Sequence, residues 1–285
     1  MWWFASTSED LDGADGNQPT TIVLIPGLWL TGLSWEHWVD RYESKGLRVI
    51  AGNWPGMDGD VKALREDHSA FDDVGLDDVI DHFEQIVRGL DRPPIIMGHS
   101  FGGSVAMVLL DRGVGAAGVA IDPGPVRGVL NLPFSAFKSA SPALKKPSNR
   151  HKAVMLTPEE FHYAFTNTMT DEESAAVYER YAVPGPGKAV FQGALANFNP
   201  HAVTKIDFHN DHRAPLLLIA GEVDHTAPVA ITRREYKLES KSKAITAYKE
   251  FAGRSHYTIG QPGWESVADF ALEWALDPKP IDETI

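Results

Sequence analysis

Residues 95 to 103 read Ile-Ile-Met-Gly-His-Ser-Phe-Gly-Gly, and the pattern of the surrounding chain follows from this segment. An apolar run stops at Ser100 and resumes at Val105, which predicts a strand, a sharp turn and a buried helix. Gly98 and Gly102 leave room for the backbone to turn, so the serine side chain projects alone. The first amides of the following helix point at the same place and can bind an anion. We therefore expect Ser100 to carry chemistry.

Short apolar runs on both sides of this stretch predict further strands of the same sheet. They lie at residues 20–25, 47–51, 117–121, 215–220 and 244–248. Helical patterns separate or follow them at residues 35–42, 76–90, 229–238 and 264–274. Strands that alternate with helices predict an α/β fold, with a mostly parallel central sheet and helices on both faces. Ligands bind beyond the carboxyl ends of such strands, where Ser100 is expected.

Residues 127–200 interrupt this alternation and predict a helical cap inserted into the core. Thr157 and Thr170 each precede a glutamate by three residues, a pattern that begins a helix. Residues 5–19 are polar and include three glycine or proline residues that interrupt secondary structure, which favours a flexible lead-in. The expected organisation is a lead-in, a core in two parts and a cap, at residues 1–19, 20–126 with 201–278, and 127–200.

The first part of the cap is basic in an otherwise acidic chain. No acidic residue occurs from Pro123 to Pro158, whereas six lysines and arginines do. Phe134 and Phe137 lie between prolines in this stretch, which predicts a loop with an apolar inner face and a basic outer face. We expect this loop to influence the choice of substrate.

Composition limits the classes of partner. The 285 residues carry a formal charge of −13, 43% are hydrophobic, and none is cysteine. The excess of acid argues against nucleic acid or an anionic membrane as partner, because both need basic protein surface. A small-molecule substrate is expected instead, and a homo-oligomer stays open. Without cysteine, disulfides, thiolate metal sites and a cysteine nucleophile are excluded. Residues 1–4 are apolar but lack the basic region of a secretory signal, so we expect a cytoplasmic protein.

A serine nucleophile needs a base, and the base needs a carboxylate that fixes its tautomer. Asp224 follows the strand at 215–220, and His256 follows the strand at 244–248. The order serine, acid, histidine is the one expected on such a sheet. Asp122, at the end of the strand after the serine helix, is a second candidate acid, and Glu222 is a third.

The chain resembles serine hydrolases of the α/β-hydrolase superfamily, in the capped, esterase-like and lipase-like branch. Gly98 to Gly102 matches the nucleophile elbow of that family, Gly221 to Asp224 its acid loop, and Ser255-His256 its histidine loop. The resemblance implies an oxyanion hole made by the backbone amides of Leu28 and Phe101, with neither cofactor nor metal. Because so few residues precede the first strand, we expect the usual N-terminal antiparallel hairpin to be missing or reduced, which leaves six parallel strands.

The remaining histidines and several aromatic residues have weaker expectations. His99 is expected to be a packed, hydrogen-bonded neighbour of the serine, and His225 a local support beside the acid. His201, His209 and His212 lie on a polar loop without a metal-ligand repeat, so solvated histidines are expected there. The expected substrate pocket is lined by aromatic side chains, namely Trp29, Phe134, Phe137 and Phe161.

Together these features favour hydrolysis of a carboxylic ester, lactone or thioester of a small hydrophobic substrate through an acyl-serine intermediate. Ser100 argues against dehalogenase or epoxide hydrolase chemistry, which in this superfamily needs an aspartate nucleophile. Carbon–carbon bond hydrolases, lyases and perhydrolases keep the serine and stay open. A receptor that uses the pocket only for binding also stays open.

Overall fold

The structure is a computed structural model, and it describes residues 21–130 and 133–281. The lead-in expected at residues 1–19 lies outside these residues. Strands of the described part are β1 to β8, at Thr21–Ile25, Arg48–Ala51, Ile95–His99, Ala117–Ile121, Ala153–Val154, Gly185–Pro186, Leu216–Gly221 and Thr246–Phe251. Its α-helices are α1 to α10, at Glu36–Glu43, Val61–Glu66, Leu76–Arg88, Phe101–Asp111, Phe134–Leu144, Pro158–Phe165, Asp171–Tyr181, Gly187–Leu195, Val229–Glu239 and Trp264–Leu276.

The central sheet confirms the predicted α/β fold. Six of the described strands form it in the order β2-β1-β3-β4-β7-β8, and every neighbouring pair is parallel. Strands β1, β3, β4 and β7 are buried along their whole length, because helices cover both faces of the sheet. Parallel strands bring their carboxyl ends to one edge, so the loops after β3, β7 and β8 meet there.

Helix α3 shows how the apolar spacing positions a helix against the sheet. Five apolar side chains of its stripe are buried, namely Leu76, Val79, Ile80, Phe83 and Val87. Ile86 and Leu90, which the same spacing includes, are only partly buried against this core. The helix predicted at residues 76–90 is therefore confirmed over Leu76–Arg88, and the burial of its apolar face decreases toward its carboxyl end.

Helices α5 to α8 lie between β4 and β7, within the segment expected to form the cap. The two predicted helix starts are confirmed. Thr157 Oγ1 accepts a hydrogen bond from the amide of Glu160, whose carboxylate accepts from the amide of Thr157. Thr170 and Glu173 make the same reciprocal pair at the start of α7. These paired bonds satisfy amides that would otherwise lack partners in the first turn.

Helix α5 corrects the expectation of a loop around Phe134 and Phe137. Pro142 lies inside this helix and has no N–H for the carbonyl of Lys138. The hydroxyl of Ser141 donates to that carbonyl at 2.7 Å and replaces the missing bond. The prolines therefore do not interrupt the helix here, and both phenylalanines lie on it.

Candidate active site

The turn after β3 holds Ser100 in a conformation that few residues adopt. Its φ is 55° and its ψ is −126°, so the residue has positive φ without being glycine. A Cβ at Gly98 would lie 2.0 Å from the carbonyl oxygen of Gly102, and a Cβ at Gly102 would lie 2.3 Å from that of Ile25. The glycines on both sides are thus required by close backbone contacts. The strained turn places the hydroxyl at the edge where the strands end.

A continuous chain of hydrogen bonds joins the serine, the histidine and the acid expected from the sequence. His256 Nδ1 donates to Asp224 Oδ2 at 2.6 Å, and His256 Nε2 accepts from the hydroxyl of Ser100 at 2.9 Å. Asp224 is also fixed by the amides of Thr226 and Ala227, at 2.6 and 2.9 Å. One proton on Nδ1 therefore leaves the Nε2 lone pair directed at the hydroxyl.

Burial controls the protonation of His256 and Asp224. His256 and Asp224 have no solvent-exposed side-chain surface. Desolvation lowers the pKa of His256 to about 3 and raises the pKa of Asp224, whose two backbone hydrogen bonds act in the opposite direction. The imidazole is therefore neutral at neutral pH and able to accept a proton.

The loop after β1 passes close to the serine turn. Gly27 approaches so closely that a Cβ there would lie 2.8 Å from Ser100 Cβ. Within residues 21–130 and 133–281, the amides of Leu28 and Phe101 donate to no protein group. Trp29 continues the loop with a φ of 64°, and its carbonyl accepts from the amide of Val183 at 2.9 Å. Its indole N–H donates to the carbonyl of Val154 at 2.9 Å, so this loop is tied to the segment between β4 and β7.

The two other candidate acids have different surroundings. Asp122 is fully buried, and its Oδ1 accepts from the amide of Gly221 at 2.6 Å. Its Oδ2 has no hydrogen-bond partner among the described residues, and burial, together with the nearby Asp224, raises the pKa of this carboxyl well above its usual range. Glu222 is exposed and accepts from the amide of Gly253. The structure thus brings Asp224, and neither alternative, to Nδ1 of His256.

Phe165 is a site residue that the sequence did not single out. Its ring packs edge-on against the imidazole of His256, with 4.9 Å between ring centres. It also contacts Trp29 at 6.2 Å and stacks on Phe161 at 4.7 Å. Phe161, Ala164 and Phe165 form the buried face of α6, but their spacing in the sequence does not show which core group that face covers.

The carboxyl end of α6 is bonded directly to the loops that carry the acid and the histidine. The carbonyls of Tyr163 and Ala164 accept from His225 Nδ1 at 3.0 Å and from the hydroxyl of Thr226 at 2.7 Å. The carbonyl of Phe165 accepts from the amide of Tyr257 at 2.8 Å. Carbonyls that normally lack partners at a helix end are therefore satisfied by the acid and histidine loops.

The remaining predicted residues divide into buried and exposed groups. His99 is fully buried, and its Nε2 donates to the carbonyl of His256 at 2.7 Å, as expected of a packed neighbour. Trp29 and Phe161 are buried beside Phe165. Phe134 and Phe137 are not brought to the serine, because their rings lie largely in solvent. The three loop histidines are exposed, namely His201, His209 and His212.

Three buried side chains next to the serine could also be considered as metal ligands. His99, Asp122 and His256 each offer one ligand atom within 4.8 Å of the others. Both ring nitrogens of His256 are already bonded, to Asp224 and to Ser100. A metal ion at this point would have to replace one of those bonds, so the geometry favours the serine–histidine–acid chain.

A parallel sheet with a serine on a strained strand-to-helix turn, followed by acid and histidine loops, defines a hydrolase of the α/β class. The chain belongs to the alpha/beta hydrolase family, whose model matches residues 22–267. A search of curated proteins by sequence found no match.

Solved structures agree with this family in their fold. A monoacylglycerol lipase from Paleococcus ferrophilus is 20% identical with a TM-score of 0.63, covering 91% of this chain and 95% of that one. An extracellular alpha/beta-hydrolase from a Paenibacillus species is 19% identical with a TM-score of 0.64, covering 90% and 98%. A pyrethroid hydrolase from Sphingobium faniae JZ-2 is 17% identical with a TM-score of 0.60, covering 90% and 98%. At these identities the likeness establishes a shared fold.

In the part of the chain that the structure describes, no helix has the length and apolar character needed to cross a membrane.

Proposed function

We propose that this protein hydrolyses carboxylic esters, lactones or thioesters through an acyl-serine intermediate. The observation that carries the proposal is the chain Ser100–His256–Asp224, with distances of 2.9 and 2.6 Å, beside two amides that lack partners in the described protein. Such a chain activates a hydroxyl that is otherwise a poor nucleophile. The two amides can donate hydrogen bonds to the negatively charged oxygen of a tetrahedral intermediate.

Each residue has a defined task in this reaction. Ser100 Oγ attacks the carbonyl carbon of the substrate while His256 Nε2 takes the hydroxyl proton. The amides of Leu28 and Phe101 stabilise the resulting oxyanion, and Asp224 stabilises the imidazolium. His256 then gives the proton to the leaving alcohol or thiol. Water repeats the sequence on the acyl-serine and releases the acid.

The aromatic residues around the imidazole support a small hydrophobic substrate. Trp29, Phe161 and Phe165 form a buried aromatic cluster against His256. Such a wall favours an apolar acyl or alcohol group and excludes water from the reacting atoms. We place the apolar group of the substrate next to this cluster, because Phe165 contacts the imidazole that takes the serine proton.

Turnover of p-nitrophenyl acetate and butyrate by the purified protein tests the proposal. We expect saturable turnover and, from a fluorophosphonate, a mass adduct on Ser100. Ser100→Ala should remove the adduct and lower kcat by roughly 10⁶-fold, as when a triad serine is lost. The same substitution at exposed Ser148 is the matched control and should change neither measurement. Saturable binding of such esters without turnover would identify a receptor and contradict the proposal.

A further inference from the structure

Exposed apolar side chains are concentrated on one part of the molecule. Of the seven large apolar side chains that are exposed in the described residues, five belong to the segment between β4 and β7. They are exposed by 53 to 85%, and they are Leu130, Phe134, Phe137, Leu195 and Phe198. We call these five residues the outer face. Apolar groups gathered in this way mark a surface that contacts something other than water.

Hydrogen bonds and helix packing hold the outer face together. The amide of Gly128 donates to Asn197 Oδ1 at 2.8 Å, and Asn197 Nδ2 donates to the carbonyl of Val129 at 2.7 Å. These two bonds bring the chain at Leu130 next to the chain at Phe198. Helix α5, which carries both phenylalanines, packs against α8, which ends at Leu195. The five side chains therefore belong to adjoining elements.

A hollow of about 370 Å³ opens within this surface. Its apolar lining includes Phe191, Leu195, Phe198 and Val203, and two of these belong to the outer face. The size is sufficient for part of an acyl chain or a similar apolar group. Its lining belongs to α8 and to the residues that follow this helix, and it includes none of the residues of the site described above.

The charge next to the outer face is opposite to that of the whole chain. Residues 123–158 contain six lysines and arginines and no acid, although the chain carries −13. Lys138 follows Phe137 on the exposed side of α5, and its Nζ lies 3.6 Å from the ring centre of Tyr163. Lys145 and Lys146 follow at the end of the helix, where the carboxylate near Lys145 is that of Glu160, at 3.9 Å.

An anionic surface fits this combination better than a second copy of the chain. A symmetric dimer would place the same face of each copy together and bring lysines opposite lysines. Acidic residues elsewhere are screened beyond about 8 to 10 Å at physiological ionic strength, so they do not prevent attraction at this face. The expectation drawn from net charge treats the chain as uniform, and the charge is not distributed uniformly.

We propose that the outer face docks the protein onto a lipid bilayer that carries anionic headgroups. The aromatic and leucine side chains enter the interface between headgroups and acyl chains, and the neighbouring lysines contact the headgroups. The contact is peripheral, because only side chains of the outer face enter the bilayer interface.

Co-sedimentation of the full chain with vesicles tests this proposal. We expect binding to phosphatidylcholine vesicles that contain phosphatidylglycerol, weaker binding to phosphatidylcholine alone, and release by salt. Phe134→Ser with Phe137→Ser should lower the partition coefficient by about tenfold or more. Lys145→Glu with Lys146→Glu should lower it to a similar extent on anionic vesicles. Lys62→Glu with Lys237→Glu is the matched control, with the same change of net charge on exposed residues away from the outer face.

Thermal melting checks whether each variant is folded, and neither this measurement nor vesicle binding depends on ester turnover. Wild-type protein that stays in the supernatant with anionic vesicles would overturn the proposal, as would an equal loss of binding in the two lysine variants. Analytical ultracentrifugation addresses the alternative occupant. A dimer that the double phenylalanine variant abolishes, without vesicle binding, would assign the outer face to a second copy and overturn lipid docking.

Discussion

The ring of Phe165 lies edge-on to the imidazole of His256, with ring centres 4.9 Å apart and planes at 69°. The contact comes from α6, far from the core strands in sequence, and it covers the side of the imidazole that neither Asp224 nor Ser100 occupies. It keeps water from the ring and limits its rotation. Phe165 is thus a positioning residue for the proposed base.

The first prediction concerns this contact. Phe165→Ala should lower kcat by roughly 10- to 100-fold, because the imidazole is held less firmly between its partners. It should also raise the pKa of His256 toward its ordinary value, since burial is what lowers it. The acid limb of the kcat/KM profile should therefore move to higher pH. Phe270→Ala on α10 is the control, and the idea fails if both variants give the wild-type pH profile.

The second prediction concerns the acid. Asp224→Asn should reduce kcat by roughly 10³- to 10⁴-fold, because an amide favours the wrong tautomer of His256. Asp122→Asn should have a far smaller effect, since an amide oxygen can still accept from Gly221 and it is Asp224 that accepts from His256 Nδ1. Steady-state kinetics of both variants on one ester decide the matter. A larger loss in the Asp122 variant would move the acid to the loop after β4.

The third prediction is that Ser100 and His256 act as one unit. Ser100→Ala and His256→Ala should each remove nearly all turnover, and the double variant should be little slower than either single one. Rates on p-nitrophenyl acetate, corrected for spontaneous hydrolysis, provide the comparison. Losses that multiply in the double variant would show that the two residues act independently, contrary to the proposed mechanism.

The fourth prediction uses a buried acid away from the site. Glu235 on α9 is fully buried; its Oε1 accepts from the amide of Val126 at 3.1 Å, and burial raises its pKa well above the usual range. A raised pKa keeps the folded state protonated while the unfolded state ionises. This group therefore costs stability as pH rises above about 4.3, the value expected when unfolded.

Glu235→Gln removes that dependence while keeping an oxygen for Val126. The free energy of unfolding of the variant, relative to wild type, should rise as pH increases above about 4.3, by at most about 1.4 kcal/mol per pH unit. Urea unfolding at several pH values measures it. A difference that stays constant with pH would mean that Glu235 titrates alike in both states.

Much of the core, and the set Ser100, His256 and Asp224, could be predicted because both depend on local sequence patterns. Apolar runs that end in Gly-His-Ser-Phe-Gly specify the turn, and the acid and histidine loops follow strands whose ends must meet in a parallel sheet. Asp122 and Asp224 both follow strands and both lie between Ser100 and His256, so the order of the residues does not separate them. The resemblance of Gly221 to Asp224 to an acid loop favours Asp224, and its hydrogen bond to His256 agrees with that choice.

Contacts between distant segments could not be predicted in the same way. The contact between Phe165 and His256 depends on how α6 packs on the core. The apolar spacing within α6 does not determine that packing. Phe134 and Phe137 were expected to face inward because apolar side chains usually do, yet they are exposed. At Pro142, the hydroxyl of Ser141 donates to the carbonyl of Lys138 in place of the missing amide. Composition does not show that a side chain takes over this hydrogen bond.

The attachment of α6 has a consequence for how the molecule opens. Its last carbonyls bond to His225, Thr226 and Tyr257, so this end of the helix cannot swing away unless several bonds to the core break together. Helix α6 and the two loops then behave as one cooperative unit, and their amides should exchange with deuterium at similar rates. We expect substrate to enter past other parts of the segment between β4 and β7. Insertions there would alter access, whereas an insertion in the last turn of α6 would disturb the reacting histidine itself.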